Sequence, residues 1–266
     1  MFPLKDENPH PPGFKPRLTI ALIIVNVVIF GIQVAITGQF FDFTMADQNR
    51  VYPDTIKMYF SWGTVPGCVT GEINAINTGI PEIGVLNCPA FPELSLLTST
   101  FMHGGLLHLG GNMLFLWIFG DNVEDVMGPI RFTLFYLLCG LAAASTQIVT
   151  DVNSMVPMVG ASGAIGGVMG AYALIYPRAH VHTFVFLGFY ATTIAVPAVF
   201  MLGYWFIVQL LGGLPALGQT GGGVAFWAHI GGFLAGLPLA IIFKRTDYLK
   251  AHLAQTPKRR SRHRWF

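Results

Sequence analysis

The sequence is poor in charged residues. Only 11% of its 266 residues are Asp, Glu, Lys or Arg, whereas 53% are hydrophobic and the mean hydropathy is +0.58. Soluble domains carry about 25% charged residues, so this low share excludes an ordinary soluble domain with a fully solvated surface. The three cysteines exclude a disulfide-rich secreted scaffold, and the 22 phenylalanines exclude a disordered chain. We therefore predict an all-α polytopic membrane protein.

Several stretches without any charge are long enough to cross a bilayer, which takes roughly 20 apolar residues per helix. With a cytoplasmic N-terminus and six spans, 13 of the 15 Lys and Arg fall on the cytoplasmic side, as the positive-inside tendency favours. Both termini are thus predicted to be cytoplasmic. A seventh span at 181–195 would carry the basic tail across the membrane, so we interpret that stretch as an interfacial cytoplasmic segment. The six predicted spans form a compact bundle and lie near residues 18–36, 104–119, 131–149, 160–176, 196–211 and 224–243.

The spans divide the chain into three regions. The first 16 residues hold five prolines, and residues 1–17 are expected to be a flexible tail. Residues 18–243 are the six-helix membrane domain, and 37–103 within it form a long extracytoplasmic loop. Residues 244–266 form a basic cytoplasmic tail, interpreted as a topology determinant beside anionic lipid rather than a nucleic-acid site. The expected location is a bacterial plasma membrane, and the sequence does not indicate an oligomeric state.

The three cysteines and one pair of opposite charges are interpreted as structural residues. Cys68 and Cys88 lie in the extracytoplasmic loop, where they either form a disulfide or stay as two thiols. Cys139 falls inside the third span and is expected to be an ordinary buried side chain. Glu124 and Arg131 flank the turn between spans two and three, and we interpret them as a structural ion pair or as support for a helix N-terminus.

Four polar side chains lie at the same predicted depth inside the membrane, which makes them functional candidates because burying a polar group in lipid is costly. His108 and Asn112 begin span two, Ser162 begins span four and His229 begins span six. All three spans run from outside to inside in this topology, so the four residues lie within about two turns of the outer surface. The alternative for each one taken singly is a hydrogen bond that holds two helices together.

Nucleophilic catalysis is the chemistry that these residue types permit. A serine hydroxyl becomes a nucleophile when an adjacent neutral histidine accepts its proton, which gives Ser162 and His229 their expected roles. His108, Asn112 and the Ser162 backbone N–H are the expected donors to the oxyanion. No acid lies in spans two, four or six, so a dyad is expected rather than a triad. The motif H-E-x-x-H is absent, and neither a metal nor a cofactor is expected.

Small residues recur every four positions in two of the spans. Span six has one such row, and span four has two. The rows are Ala228, Gly232 and Gly236 in span six, and Ser162, Gly166 and Gly170 together with Gly163, Gly167 and Ala171 in span four. Such faces allow two helix backbones to approach closely. If these two faces meet, Ser162 and His229 come within hydrogen-bonding reach.

Three motifs together resemble those of the rhomboid intramembrane serine proteases. They are HGGLLHLGGN at 103–112, GASGA at 160–164 and AHIGG at 228–232, and the resemblance covers roughly residues 94–243. It implies that Ser162 is the nucleophile, that His229 is its base, and that His108 and Asn112 help to form the oxyanion hole.

The resemblance also implies a substrate and two features of the loops. Substrates would be transmembrane proteins cut near the outer membrane face, entering sideways past span five. The glycine-rich stretch 212–223 would correspond to a cap over the site. Many members carry a Trp-Arg pair shortly before span two, where this chain has Leu94-Ser95, so the membrane contact of its outer loop must differ.

Two other functions fit parts of the pattern. An inactive rhomboid-like protein would bind membrane clients without cutting them, although loss of the serine or the histidine would have favoured it. A transporter that relays protons through intramembrane histidines is weakened by the lack of intramembrane acids and of an inverted repeat.

Overall fold

The structure is a computed structural model that describes residues 2–41, 53–78, 80–188, 190–217 and 223–255. Within these ranges the chain is mostly helical. Short 3-10 turns at Pro92–Leu94 and Ser99–Phe101 accompany the longer elements. In chain order those elements are β1 (Phe2–Glu7), α1 (Arg17–Thr37), α2 (Pro53–Trp62), α3 (Pro66–Thr70), β2 (Ala75–Asn77), β3 (Val85–Asn87), α4 (Ser95–Thr98), α5 (Leu106–Met127), α6 (Pro129–Thr150), α7 (Ser162–Ile175), β4 (His180–Leu187), β5 (Tyr190–Pro197), α8 (Ala198–Ala216), α9 (Phe226–Phe243) and α10 (Thr246–Leu253).

Four of the described helices are long and apolar enough to cross a membrane, namely α1, α6, α8 and α9. Helix α5 has a comparable length of 22 residues, but three acids lie in its last two turns. Helix α7 is also apolar but has only 14 residues. The described chain is therefore a mostly helical membrane protein, and the predicted spans coincide with α1 and α5 to α9.

Helix α7 occupies the centre of the bundle, because glycine and alanine let its neighbours approach its backbone. A Cβ atom on Gly232 of α9 would overlap the carbonyl oxygen of Gly163, and one on Gly236 would overlap that of Gly167. These two contacts advance together along both helices, so α7 and α9 run parallel at van der Waals distance. The expected meeting of the two small-residue faces is what the structure shows.

The N-terminal segment differs from the expected flexible tail. Residues Phe2–Glu7 form β1, which pairs with β4 in an antiparallel sheet of order β1-β4-β5. The carboxylate of Asp6 accepts hydrogen bonds from Tyr172 Oη at 2.6 Å and from Asn122 Nδ2 at 3.0 Å. An edge strand offers unpaired backbone groups to any strand that reaches it, and here the edge of β4 receives the N-terminus. The prediction of a flexible tail at 1–17 is therefore wrong for Phe2–Glu7. The fold is mostly helical as predicted, but it also contains this sheet, which an all-α class lacks.

The segment 181–195, which we excluded as a seventh span, belongs to the β4–β5 hairpin. The glycine-rich stretch 212–223, which is the expected cap, is described only in part. Helix α8 continues to Ala216, so the first part of that stretch is helical. Residues 218–222 of the expected cap lie outside the described residues, as does the end of the basic tail at 256–266.

Glu124 supports the start of α1. Its carboxylate accepts the backbone N–H of Leu18 at 2.9 Å, and the N–H and hydroxyl of Thr19, both at 2.8 Å. Pro16 precedes α1 without a side-chain cap, so a carboxylate from α5 supplies the missing acceptor. Of the two expected roles, helix support is the one observed, since Arg131 donates to the carbonyl of Phe243 at 3.4 Å instead.

The loop between α1 and α5 is folded where it is described. Cys68 in α3 and Cys88 after β3 form a disulfide, whereas Cys139 is a buried free thiol as expected. The loop is joined to the segment before α7 by paired backbone hydrogen bonds between Thr64 and Met158. Leu94, in the place of the missing Trp-Arg pair, is 64% exposed.

Removing the disulfide should destabilise this loop. Replacing both Cys68 and Cys88 with Ser removes a cross-link between residues 20 apart. Because the unfolded chain then gains entropy, we expect the free energy of unfolding to fall by about 3 kcal/mol. Limited proteolysis of the loop and thermal unfolding would measure it. Reductant should reproduce the change in the wild type and have no effect on the double variant. Equal protease resistance of both proteins would contradict a stabilising role.

Candidate active site

The N-terminal ends of α5, α7 and α9 meet at one place in the bundle. Ser162 is the first residue of α7 and His229 lies in the first turn of α9. The Ser162 Oγ and His229 Nε2 atoms are 2.7 Å apart, which is hydrogen-bonding distance. The structure thus brings together two side chains 67 residues apart in the chain. This separation is within the range expected for a nucleophile and its base.

The other nitrogen of His229 faces Gln209 of α8. Its Nδ1 atom lies 2.8 Å from Gln209 Oε1, while Gln209 Nε2 donates to the carbonyl of Trp205 at 3.2 Å. The second contact sets the orientation of the amide, so its oxygen must accept from Nδ1–H. The neutral ring then carries its proton on Nδ1 and leaves Nε2 free to accept the Ser162 hydroxyl proton. Gln209 therefore orients the base in the way that a carboxylate does in a triad.

His108 and Asn112 lie on the neighbouring side of Ser162. The backbone N–H of Gly104 donates to His108 Nδ1 at 3.2 Å, so the proton of the neutral ring is on Nε2. That atom is directed toward Gly160, two residues before Ser162, where an added Cβ would approach it to 2.7 Å. The Nδ2 atom of Asn112 is buried without a hydrogen-bond partner among the described residues. Two donors thus converge beside the serine.

Gly160 makes this close approach feasible. Its φ is +127°, a conformation that side chains rarely adopt, and its N–H donates to the carbonyl of Ser99 at 2.9 Å. A side chain here would be strained and would also displace the ring of His108. The glycine therefore serves both the backbone turn into α7 and the space beside Ser162.

The four predicted site residues line one cavity of about 850 Å³. Its walls come from α5, α7, α8 and α9 and from the segment that precedes α7. The N-terminal ends of three helices are directed at it, and each contributes partial positive charge to that end. An anion formed near Ser162 would therefore be stabilised by dipoles as well as by the two side-chain donors.

Gln209 is the site residue that the sequence analysis missed. Its signal was present, because it is a lone amide in an otherwise apolar helix and polar residues at membrane depth are functional candidates. A local sequence motif does not reveal the pairing of Gln209 with His229, because the two residues lie on different helices. The amide of Gln209 is the polar group that His229 Nδ1 contacts in the structure.

Comparison with known proteins identifies the family. The Rhomboid domain model matches residues 93–246, which is more than half of the 266 residues and includes every residue of the site described above. The chain belongs to the rhomboid family. The resemblance seen in the three motifs is confirmed.

One of the similar rhomboid proteins is named as a protease, and another is named as inactive. The chain is 39% identical over 154 residues to Rhomboid protease GluP of Bacillus subtilis, and 28% identical over 151 residues to Rhomboid protein 1, mitochondrial, of Saccharomyces cerevisiae. These matches cover 56% and 54% of this chain, but only 27% and 40% of the relatives. Inactive rhomboid protein 1 of Drosophila melanogaster is 29% identical over 132 residues, which are 46% of this chain and 8% of the relative.

Proposed function

We propose that the protein is an intramembrane serine protease that hydrolyses peptide bonds of transmembrane proteins with the dyad Ser162–His229. The observation that carries the proposal is the 2.7 Å contact between Ser162 Oγ and His229 Nε2 inside a cavity with two further donors. Membership of the rhomboid family supports it, since the family includes a named protease.

The reaction follows from the geometry of the four side chains. Ser162 Oγ attacks the scissile carbonyl carbon while its proton moves to His229 Nε2, and the carbonyl oxygen becomes an oxyanion. His108 Nε2–H, Asn112 Nδ2–H and the Ser162 backbone N–H donate to that oxyanion. His229 then protonates the leaving amine, which gives an acyl-enzyme on Ser162. Water, deprotonated by His229, hydrolyses the ester and restores the hydroxyl.

Gln209 acts in this scheme as a positioning residue. Its Oε1 accepts a hydrogen bond from His229 Nδ1–H and so favours the tautomer whose Nε2 can serve as a base. It also stabilises the imidazolium that forms when His229 takes the serine proton, although a neutral amide does so less strongly than a carboxylate.

We place the site just below the outer membrane face. In this topology α1 and α5 to α9 are six spans within residues 18–243, and both termini are cytoplasmic because the basic residues cluster there. Helix α7 is about 21 Å long at 1.5 Å per residue, shorter than the hydrocarbon thickness of roughly 30 Å. A span of that length begins or ends inside the membrane, and we propose that it begins there, with Ser162 below the outer surface at the base of a cavity.

The proposed substrates are transmembrane proteins that reach the site from the side. Helix α8 contributes both the orienting Gln209 and the cavity wall at Trp205, so a substrate that passes this helix arrives beside the dyad. A bacterial plasma membrane remains our predicted location, although relatives of this chain include mitochondrial proteins.

Cleavage by the purified protein tests the function. We expect the full chain in detergent or proteoliposomes to cut a model transmembrane substrate once, near the end that faces the outside. Phenanthroline and EDTA should leave the rate unchanged at a temperature well below unfolding, since no proposed step uses a metal. Capture of the substrate without a cleaved product would instead support the function of an inactive client-binding protein.

Replacing Asn112 with Ala should lower kcat by about 10²–10³-fold, because one oxyanion donor is lost. Asn26 offers a matched control, since it is another buried asparagine and its Nδ2 donates to the Leu22 carbonyl of its own helix. Steady-state kinetics of Asn112→Ala and Asn26→Ala would be compared. Equal rates for the two variants would remove Asn112 from the oxyanion hole.

Replacing Gln209 with Leu should lower kcat about fivefold with little change in KM, because one hydrogen bond contributes about 1 kcal/mol. Gln209→Glu should restore cleavage and shift the acid limb of the pH–rate profile to higher pH, since a carboxylate favours protonated His229. A purely packing role would not move that limb. Wild-type kinetics in Gln209→Leu, or an unshifted profile in Gln209→Glu, would contradict the positioning role.

A further inference from the structure

A second group of histidine and aspartate side chains lies at the opposite end of α5 from the active site. His10, Asp125 and His252 place one potential ligand atom each within 4.8 Å of one another. His10 Nδ1 is 3.0 Å and His252 Nδ1 is 2.5 Å from the same oxygen, Asp125 Oδ2. Asp125 and His252 are buried and His10 is partly buried. Seventeen residues of α5 separate Asp125 from His108, which is about 25 Å of helix.

The outer nitrogens of both rings have acceptors as partners. His10 Nε2 lies 3.0 Å from Asp121 Oδ2, and His252 Nε2 lies 2.9 Å from Asn8 Oδ1. Because a carboxylate only accepts, His10 Nε2 carries a hydrogen, and His252 Nε2 carries one when the Asn8 amide presents its oxygen to the ring. A histidine that binds a metal through one nitrogen shows this arrangement, because its other N–H donates to a carboxylate or carbonyl oxygen.

The inner nitrogens then present lone pairs. In two neutral rings with protons on Nε2, both Nδ1 atoms are acceptors, and both are directed at a carboxylate oxygen that is also an acceptor. A cation among the three atoms satisfies all of them. The metal-free alternative is a charged His10 between the carboxylates of Asp121 and Asp125, with a neutral His252 that donates its Nδ1–H to Asp125 and accepts from a turned Asn8 amide.

We propose that His10 Nδ1, His252 Nδ1 and Asp125 Oδ2 bind one divalent first-row transition-metal ion, with Zn²⁺ as the best match. Two imidazoles and a carboxylate are ligands that Zn²⁺ takes, with bonds of about 2.0–2.2 Å and water in the remaining position. Asp121 and Asn8 orient the two rings from outside the ligand set.

The ion would join three segments that are distant in sequence. His10 follows β1, Asp125 lies in the last turn of α5, and His252 belongs to α10. A ligand set shared by these segments would hold the N-terminal strand β1 and helix α10 against α5. The site is structural in this scheme, and it is independent of the proposed protease function.

Cobalt binding gives a readout that does not depend on cleavage. The full chain without an affinity tag would be stripped with EDTA, desalted in detergent and titrated with Co²⁺. We expect visible d–d absorption that saturates at one equivalent and disappears when Zn²⁺ is added. Zn²⁺ at 100 times its Kd should raise the Tm by roughly 5 °C or more. His252→Gln should abolish the absorption and the Tm shift.

Two variants separate metal binding from loss of the fold. His182→Gln removes a histidine that pairs with Glu7 at 2.7 Å outside the ligand set, and it should keep full Co²⁺ absorption. His10→Gln changes the most exposed ligand and should lose the absorption even if His252→Gln fails to fold. Absence of Co²⁺ absorption in the wild type would overturn the proposal in favour of the metal-free alternative. Absorption that persists in His10→Gln would also overturn it.

Discussion

Ser162→Ala is expected to lower kcat for cleavage of a transmembrane substrate by at least about 10⁴-fold, because the nucleophile is removed. His229→Ala should cause a loss of similar size, since the serine hydroxyl then has no base within reach. Residues that act as one unit are not additive, so the double variant should be no slower than either single one. Quantified cleavage over long incubations would measure all three rates.

Folding controls decide what such losses mean. All three variants should keep the wild-type Tm within a few degrees, because Ser162 and His229 lie in a cavity rather than in the packed core. His182→Ala, in the β4 strand, should cleave at the wild-type rate. Substantial cleavage by Ser162→Ala, or losses in the single variants that multiply in the double variant, would contradict a shared catalytic dyad.

Gly232→Val is expected to have the largest effect on folding. Even a Cβ at this position would overlap the Gly163 carbonyl oxygen, and a backbone atom in the central helix cannot move aside without separating α7 from α9. Overpacking of this kind costs roughly 3 kcal/mol or more. Because Gly163 adjoins Ser162, the separation should also abolish cleavage. Thermal unfolding in detergent and the yield of monodisperse protein would measure the loss.

Gly203 provides the matched control. It is a helical glycine in α8, and no other element of the described chain comes within 4 Å of an added Cβ, so Gly203→Ala should be neutral or stabilise the helix by up to about 1 kcal/mol. Gly232→Ala should already lower the Tm. Equal Tm values for the two alanine variants would show that α7 and α9 are not in the close contact described here.

The centre of the fold and the site were predictable because membrane burial makes polar residues rare. His108, Asn112, Ser162 and His229 were found as the polar residues at one depth, and the structure brings all four to one cavity. The small residues of α7 and α9 indicated the close contact that joins two of them. Both signals are periodic and local, so they can be read from a single sequence.

The missed features depend on partners that are distant in the chain. The N-terminal segment forms a strand because β4, almost 180 residues later, offers an edge to it. Glu124 caps a helix that starts more than 100 residues earlier, and Gln209 orients a histidine on the next helix. Local composition does not encode pairings between distant segments. The prolines of the first 16 residues favoured the prediction of a flexible tail instead of a strand.

Covalent labelling tests most directly whether Ser162 is a nucleophile activated by His229. The wild-type protein would be treated with a fluorophosphonate probe, and the modified residue would be identified by mass spectrometry of its peptides. The proposed dyad predicts one modification, on Ser162, with labelling lost in Ser162→Ala and reduced to background in His229→Ala. Modification of a different residue, or undiminished labelling of Ser162 in His229→Ala, would contradict it.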